Sequence, residues 1–248
     1  MNYLDIVHSI KKSKNLSLKN YFLSSFLISN RISPYFSGAY VIKGIVPNKI
    51  TLHMIYSGII GGILFSLPNI YLKILGAVFI HIWFILDCSD GEVARYSKCF
   101  SKYGKELDYV AHLIDHPLFG ISFLFSLMQL KRYNILNLVV LIFLSNLIDY
   151  LFRNITALND IKKVKNNNSM LDVSSSIEFN SFKGWLTFFS NIFIVYPNFV
   201  LFGVIAYFID YKMNLNILFY YLIVNVILSG VFYIRQLWKI TLYFSRNI

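Results

Sequence analysis

Six long apolar runs alternate with short polar breaks along the 248-residue chain, at residues 50 to 67, 70 to 88, 106 to 129, 134 to 152, 186 to 208 and 215 to 234. A helix needs roughly 20 apolar residues, at about 1.5 Å rise each, to cross a hydrocarbon core of about 30 Å, and each run comes close to that length. The runs are continuous rather than alternating, which predicts helices and not barrel strands. The chain turns at Pro68-Asn69, at the polar run from Ser89 to Lys105, at Lys131-Arg132, in the Asn/Lys/Ser-rich stretch 159 to 184 and at Asp210 to Asn214. The pattern predicts an all-α integral membrane protein with six transmembrane helices.

The first 49 residues are less apolar. Their segments Tyr21 to Ile28 and Tyr35 to Ile42 are too short to cross and are interrupted by Asn30-Arg31 and Ser33-Pro34. They read as a cytoplasmic amphipathic segment lying on the membrane, which divides the chain into a juxtamembrane part, 1–49, and a six-helix domain, 50–248. Asn166 to Asn168 and Ser174 to Ser176 mark a polar cytoplasmic loop. There is no internal repeat.

Composition agrees with the pattern: 56% of residues are hydrophobic, 18% aromatic and only 14% charged, against about 25% in an ordinary soluble domain. The net charge of +11 would suggest nucleic acid in a soluble protein. Here the basic residues sit in short clusters between spans, so they point to orientation and to no nucleic-acid partner. Cytoplasmic loops collect Lys and Arg, and 19 of the 23 basic residues fall on the side of the two termini. The other four are Lys73, Lys131, Arg132 and Lys212. Both termini are therefore expected in the cytoplasm, with the protein in the cytoplasmic membrane if its source is bacterial. Two cysteines, Cys88 and Cys99, make no disulfide framework, and no secretory leader is legible.

Acids inside membrane helices are costly and mark sites. Six of the twelve, Asp87, Asp90, Glu92, Glu106, Asp108 and Asp115, fall between positions 87 and 115, at the end of the second span and the start of the third. Asp87 and Asp90 are three apart, Asp108 and His112 four apart, so each pair shares a helix face. Two antiparallel helices could point all four at one volume. Several carboxylates at the mouth of a bundle repel one another unless a divalent cation or a pair of them neutralises the site, and hard oxygen donors favour Mg²⁺, Mn²⁺ or Ca²⁺. Gly91 and Ala94 leave room beside the acids, Arg95 is a forked phosphate donor, and Gly104 permits a tight turn. Acids, metal, small residues and an arginine together suggest a phosphate-containing substrate.

Read as one string, Asp87-Cys88-Ser89-Asp90-Gly91-Glu92-Val93-Ala94-Arg95, then eight residues, Gly104, three residues, Asp108, three residues and His112 resembles the signature of the CDP-alcohol phosphotransferase family, DxxDGxxAR, eight residues, GxxxDxxxD. Seven of the eight fixed positions are present, and His112 stands where the family has its last aspartate. Pro47-Asn48-Lys49-Ile50-Thr51 is similar to the family's PNxxT segment. The resemblance implies six transmembrane helices and transfer of a substituted phosphate from a CDP-alcohol to a lipid or polyol hydroxyl, releasing CMP on the cytoplasmic side, as in phospholipid or related phosphodiester biosynthesis. It implies a homodimer, Mg²⁺ or Mn²⁺ as two ions held by Asp87, Asp90 and Asp108, and a cytidine and pyrophosphate site lined by Gly91, Ala94, Arg95 and Gly104.

The family's fourth aspartate is the base that would take the acceptor's proton, and His112 could fill that role, since an unperturbed imidazole titrates near 6.5. His112 could also ligate a metal, with a shift in preference towards Mn²⁺ or another transition metal. Asp115, one turn on, could supply the missing carboxylate, or the substitution could leave an altered or inactive relative. A transporter for a cation or a phosphorylated solute is the competing class, although its acids would sit nearer midplane. Elsewhere, Glu92 and Glu106 face away from the paired acids and read as solvated or as partners of loop lysines, and His116 and His81 read as ordinary polar residues. Asp149 and Arg153, four apart, read as a pair, with the arginine also able to meet an anionic acceptor.

Overall fold

The computed structural model describes residues 2–14, 16, 22–165 and 181–245. Nine α-helices account for nearly all of these, and no strand occurs among them. They are α1 (Tyr3–Lys12), α2 (Asn30–Ile42), α3 (Pro47–Ser66), α4 (Ile70–Ser97), α5 (Gly104–Gln129), α6 (Ile135–Lys165), α7 (Phe182–Ile194), α8 (Tyr196–Met213) and α9 (Ile217–Ser245), with a π-helical turn, Ser25–Ser29, leading into α2. Five helices, α3, α4, α5, α6 and α9, are long and apolar enough to cross a bilayer, and α7 with α8 forms a bent pair that is long and apolar enough to count as a sixth when taken as one span. The protein is thus an all-α membrane protein, as its hydropathy predicts. Asn166 to Asn168 and Ser174 to Ser176, expected in a polar loop, lie outside the described residues.

Two boundaries and one side chain differ from the sequence expectation. The polar run from Ser89 is not a loop at first: α4 continues to Ser97 and stops at Lys98, whose positive φ of 52° ends the helix. Its 28 residues exceed a bilayer core by about 10 Å, so the last turns, which hold the acids, rise out of the apolar slab while remaining helical. Likewise α6 runs on past residue 152 to Lys165. Lys73, grouped above with the loop cations, is 1% exposed in the first turn of α4. Its ammonium donates to the Phe65 carbonyl at 2.7 Å and to Ser126 Oγ at 2.8 Å, and lies over the rings of Phe65 and Tyr207. There it staples α3, α4 and α5 together at the end of the bundle remote from the acids.

Close approach of α3 and α4 depends on small residues. A Cβ on Gly76 would meet Phe65 N at 2.5 Å, and one on Gly61 would meet Ile80 N at 2.8 Å, so the two backbones touch where any side chain would part them. Around this crossing a core of Met54, Phe65, Trp83, Phe119, Phe123 and Tyr207 is almost fully enclosed.

The helices α7 and α8 are bent against each other by 66° between Ile194 and Tyr196. Val195 is extended, and Pro197 in the first turn of α8 has no N–H to continue the ladder of α7. Carbonyls left open at membrane depth need partners, and side chains provide them. Tyr221 OH donates to Ile192 O at 2.8 Å and Asn225 Nδ2 to Phe193 O at 2.7 Å, while Asn198 Nδ2, at 2.9 Å, joins Val195 N on Asn191 O. Replacing Asn225 with Ala is expected to cost about 1–3 kcal/mol, read as a lower thermal midpoint in detergent, because Phe193 O loses that donor in a buried setting. Meanwhile α7 presents Phe182, Trp185, Leu186 and Phe189 outward on one face, a stripe suited to the membrane interface.

At the remote end the Asp210 carboxylate accepts from Ile217 N at 2.7 Å and Leu218 N at 2.9 Å, which caps α9. Beside it burial pushes the Tyr133 phenol up to about 12, so its hydroxyl remains a donor to Asn216 Oδ1 at 2.6 Å throughout the neutral range.

Candidate active site and metal centre

The helix α4 brings Asp87 and Asp90 to the open end of the bundle, and antiparallel α5 brings Asp108 and His112. Ligand atoms of Asp87, Asp108 and His112 all lie within 4.8 Å of one another. His112 Nε2 sits between the two carboxylates, 3.4 Å from Asp87 Oδ1 and 3.5 Å from Asp108 Oδ1. Its Nδ1 is buried and has no hydrogen-bond partner among the described residues, while the ring stands edge-on to Trp83. Two carboxylates and an imidazole nitrogen, half-buried and convergent, are a donor set that fits a divalent cation.

Asp90 does not join the three directly. Its Oδ2 accepts from Thr51 Oγ1 at 2.8 Å, and the charges of Asp87 and Asp108 both act on it. Thr51 belongs to the PNxxT segment, whose Asn48 donates to Ser101 Oγ at 2.9 Å and so ties the loop between α4 and α5 to the start of α3. Pro47 opens α3, where a missing N–H costs nothing. Arg95 lies over Gly91: a Cβ there would meet its Nη1 at 3.1 Å. Ala94 follows on the same helix, and Gly104 begins α5 with Asn48 beside it.

Asp115 lies apart from this group. Trp83 Nε1 donates to its Oδ2 at 2.6 Å, and the residue packs fully buried against Gly58, where a Cβ would come within 2.5 Å of Oδ1. It fills a slot between α3, α4 and α5 instead of turning towards Asp108.

Glu92 corrects the sequence reading most clearly. It is 4% exposed and so not solvated, and the lysine that pairs with it comes from the segment after α1 rather than from the loop between α4 and α5. Ser33 Oγ and Ser37 Oγ donate to its carboxylate, the latter at 2.7 Å, and Lys14 forms an ion pair with it. Lys14 also donates to Asn30 O at 3.2 Å. That carbonyl is free because Pro34, four residues on, has no N–H to offer it. Helical phase did turn Glu92 away from the paired acids, but the face it occupies is covered by α2.

One turn beyond His112, a second polar cluster forms from three helices. His116 Nδ1 is 2.9 Å from Asp149 Oδ2, Arg153 Nε is 3.2 Å from the same oxygen, and Arg153 Nη2 is 2.9 Å from His116 Nε2. Tyr196, at the break between α7 and α8, stacks on the His116 ring and donates its hydroxyl to His116 O at 2.5 Å. The Asp149–Arg153 pair matches the sequence reading. His116 and Tyr196 were missed, since their sequence signal is only a polar residue in one span and a residue before proline in another.

This cluster forms part of the wall of a cavity of about 670 Å³ between α5, α6, the α7–α8 break and α9. Asp108 and His112 line it at one end, and Lys105, Arg153, Asn191 and Asn225 are among its polar walls. Gly91, Ala94 and Arg95 lie outside it, on the α4 side of the acids.

A family model of CDP-alcohol phosphatidyltransferases matches residues 44–208, from just before α3 into α8. The chain belongs to this family. No curated protein matches it significantly. As a CDP-alcohol phosphatidyltransferase it is an enzyme class that moves phosphate-linked groups from a CDP-alcohol, within a membrane, to a hydroxyl acceptor. The match spans the acids, the bend and most of the cavity wall, and α9 completes the cavity from outside it.

Proposed function

We propose that this phosphotransferase joins the alcohol phosphate of a CDP-alcohol to an acceptor hydroxyl, with Asp87, Asp90, Asp108 and His112 as its centre. The convergence of Asp87, Asp108 and His112 at the head of the cavity carries the reading. The acceptor oxygen forms a bond to the phosphorus that bears the alcohol, the bond from that phosphorus to the bridging oxygen breaks, and CMP leaves with that oxygen. The hydroxyl proton goes to His112 Nε2, which is close to two carboxylates that stabilise the imidazolium. A divalent cation, Mg²⁺ or Mn²⁺, held by Asp87, Asp108 and the carboxylate of Asp90 would neutralise charge on the pyrophosphate as CMP departs. Arg95 over Gly91, with Ala94 and Gly104, takes the cytidine and pyrophosphate. Thr51 and Asn48 hold Asp90 and the α4–α5 loop in register for that donor.

The six-span unit from residue 50 performs the chemistry, with residues 1–49 as a cytoplasmic juxtamembrane segment. The basic residues put the termini and the acids on the cytoplasmic side, and the enzyme works as a homodimer in phospholipid or related phosphodiester biosynthesis.

The test is CMP release by purified protein in detergent, across a panel of CDP-alcohols and hydroxyl acceptors, with Mg²⁺ or Mn²⁺ and then with a chelator. Metal-dependent release that the chelator stops is the expected result. Release unaffected by chelation would overturn the metal role, and nucleotide binding without release under every condition would establish a silent relative.

A further inference from the structure

We infer that Asp115 is a positioning residue for the base: by holding Trp83 it sets the plane of the His112 imidazole against the two carboxylates. This rests on the phosphotransferase reading above and adds a second pair of side chains beneath the same site.

Asp87 and His112 meet across α4 and α5 at the mouth of the bundle. Trp83 stands one turn before Asp87 on α4, and Asp115 about one turn after His112 on α5, so between antiparallel helices the second pair forms the next rung down. Trp83 is 1% exposed and Asp115 is fully enclosed. An indole has a single donor, Nε1–H, and here it meets Asp115 Oδ2 at 2.6 Å. That bond fixes how the indole is turned.

His112 needs such a support. An imidazole that ligates a metal or moves a proton is ordinarily held by a hydrogen bond at its far nitrogen. The His112 Nδ1 is buried and has no hydrogen-bond partner among the described residues, so aromatic packing holds the ring plane instead. Two rings supply it, both edge to face: Trp83 at 5.3 Å and 77°, and His116 at 5.1 Å and 68°. Tyr196 stacks on His116, and Asp149 and Arg153 bind its nitrogens, so that ring is fixed. Asp115 does the same for Trp83. A turned indole would let the imidazole swing away from the carboxylate oxygens that lie 3.4 and 3.5 Å from Nε2.

The cost of keeping an acid in this slot argues against a packing role. A carboxyl inside a membrane helix is expensive, and Asp115 Oδ1 has no partner among the described residues. Facing it on α3 is Gly58, where a Cβ would come within 2.5 Å of Oδ1 and 2.8 Å of the indole. The third helix thus omits a side chain to admit both groups, whereas an apolar pair would fill the space with no donor or acceptor to satisfy.

CMP release by variants of the two residues tests this. Asp115→Ala frees the indole and should lower kcat about ten- to a hundredfold, the loss expected when a reacting group is displaced by about 1 Å, with the KM of the CDP-alcohol within about twofold of wild type. Asp115→Asn still offers the indole an amide oxygen and should recover most of kcat. The same alanine change is then made in a His112→Asp background, where no imidazole rests on Trp83, and there kcat should fall by less than about threefold. An equal fall in both backgrounds, or asparagine as damaging as alanine, would overturn the inference. If Asp115→Ala does not fold, Trp83→Phe removes the indole N–H, keeps an aromatic ring and is read in the same two backgrounds. Should wild type release no CMP, the phosphotransferase reading fails first; should His112→Asp release none, that background is silent. In either case the Cε1–H resonance of His112, assigned by its loss in His112→Asp, decides. Edge-on packing against the indole displaces it from the free-imidazole position, and Asp115→Ala should return it towards that position while Asp115→Asn leaves it in place. A resonance that Asp115→Ala does not move, or that both variants move alike, refutes the inference.

Discussion

Changing His112 to alanine is expected to slow CMP release by about 10²- to 10⁴-fold, the range usually lost with a positioned acid or base. The side chain stands between Asp87 and Asp108 with Nε2 within 3.5 Å of both, so no neighbour can move into its place without breaking other bonds. Asp115, the nearest further carboxylate along α5, is held by Trp83 and enclosed against Gly58. The informative companion is His112→Asp, which restores the family's last carboxylate. It should keep most of the activity, with a carboxylate in place of the imidazole as the base, and extend the acid limb of the rate profile to lower pH. The direction follows from ordinary side-chain values: a base must be unprotonated to act, and a carboxyl stays so down to about 3.9 whereas an imidazole does so only above about 6.5. An alanine variant with wild-type kcat would remove His112 from the chemistry. An aspartate variant that is inactive but folded would show that the site is built around the imidazole.

The largest stability effect is expected at Lys14. Its ammonium is enclosed, meeting Glu92, Ser33 Oγ, Asn30 Oδ1 and the carbonyl that Pro34 leaves open. Lys14→Ala leaves a carboxylate in a buried slot with two serine hydroxyls as its remaining partners. Breaking one side of such a pair costs about 3–5 kcal/mol. Removing both charges is far milder, so Lys14→Met combined with Glu92→Gln should recover most of the loss. Thermal unfolding in detergent of wild type, the two single variants and the double gives the coupling directly. Equal midpoints for Lys14→Ala and wild type would mean that the N-terminal segment does not hold α4. Because Glu92 sits between Gly91 and Arg95 on the signature helix, the Lys14 variant should also raise the KM for the CDP-alcohol.

How far the chain could be read in advance depends on the range of the interactions concerned. Spans follow from the length of apolar runs, and shared faces follow from the 3.6-residue period, so the helices that carry Asp87, Asp90, Asp108 and His112 were legible from local pattern alone. So was the Asp149–Arg153 pair, four apart on one helix. The end of α4 was misplaced because polar side chains signal departure from the apolar slab, and a helix can leave the slab without unwinding.

The amino-acid sequence by itself therefore determined the all-α membrane architecture, the family and the spacing of the acids, since each is written in short-range periodicity and motif. Only the tertiary structure decided which groups share a volume. It turned Asp115 towards Trp83, gave Asp90 to Thr51 and buried Glu92 under α2. It also stacked Tyr196 on His116 across 80 residues of chain, and closed the carbonyls of the α7–α8 break with Tyr221 and Asn225. The physical reason is that a buried polar atom must find a partner wherever packing brings one within about 3 Å, and that partner's position in the sequence is fixed by topology rather than by local pattern.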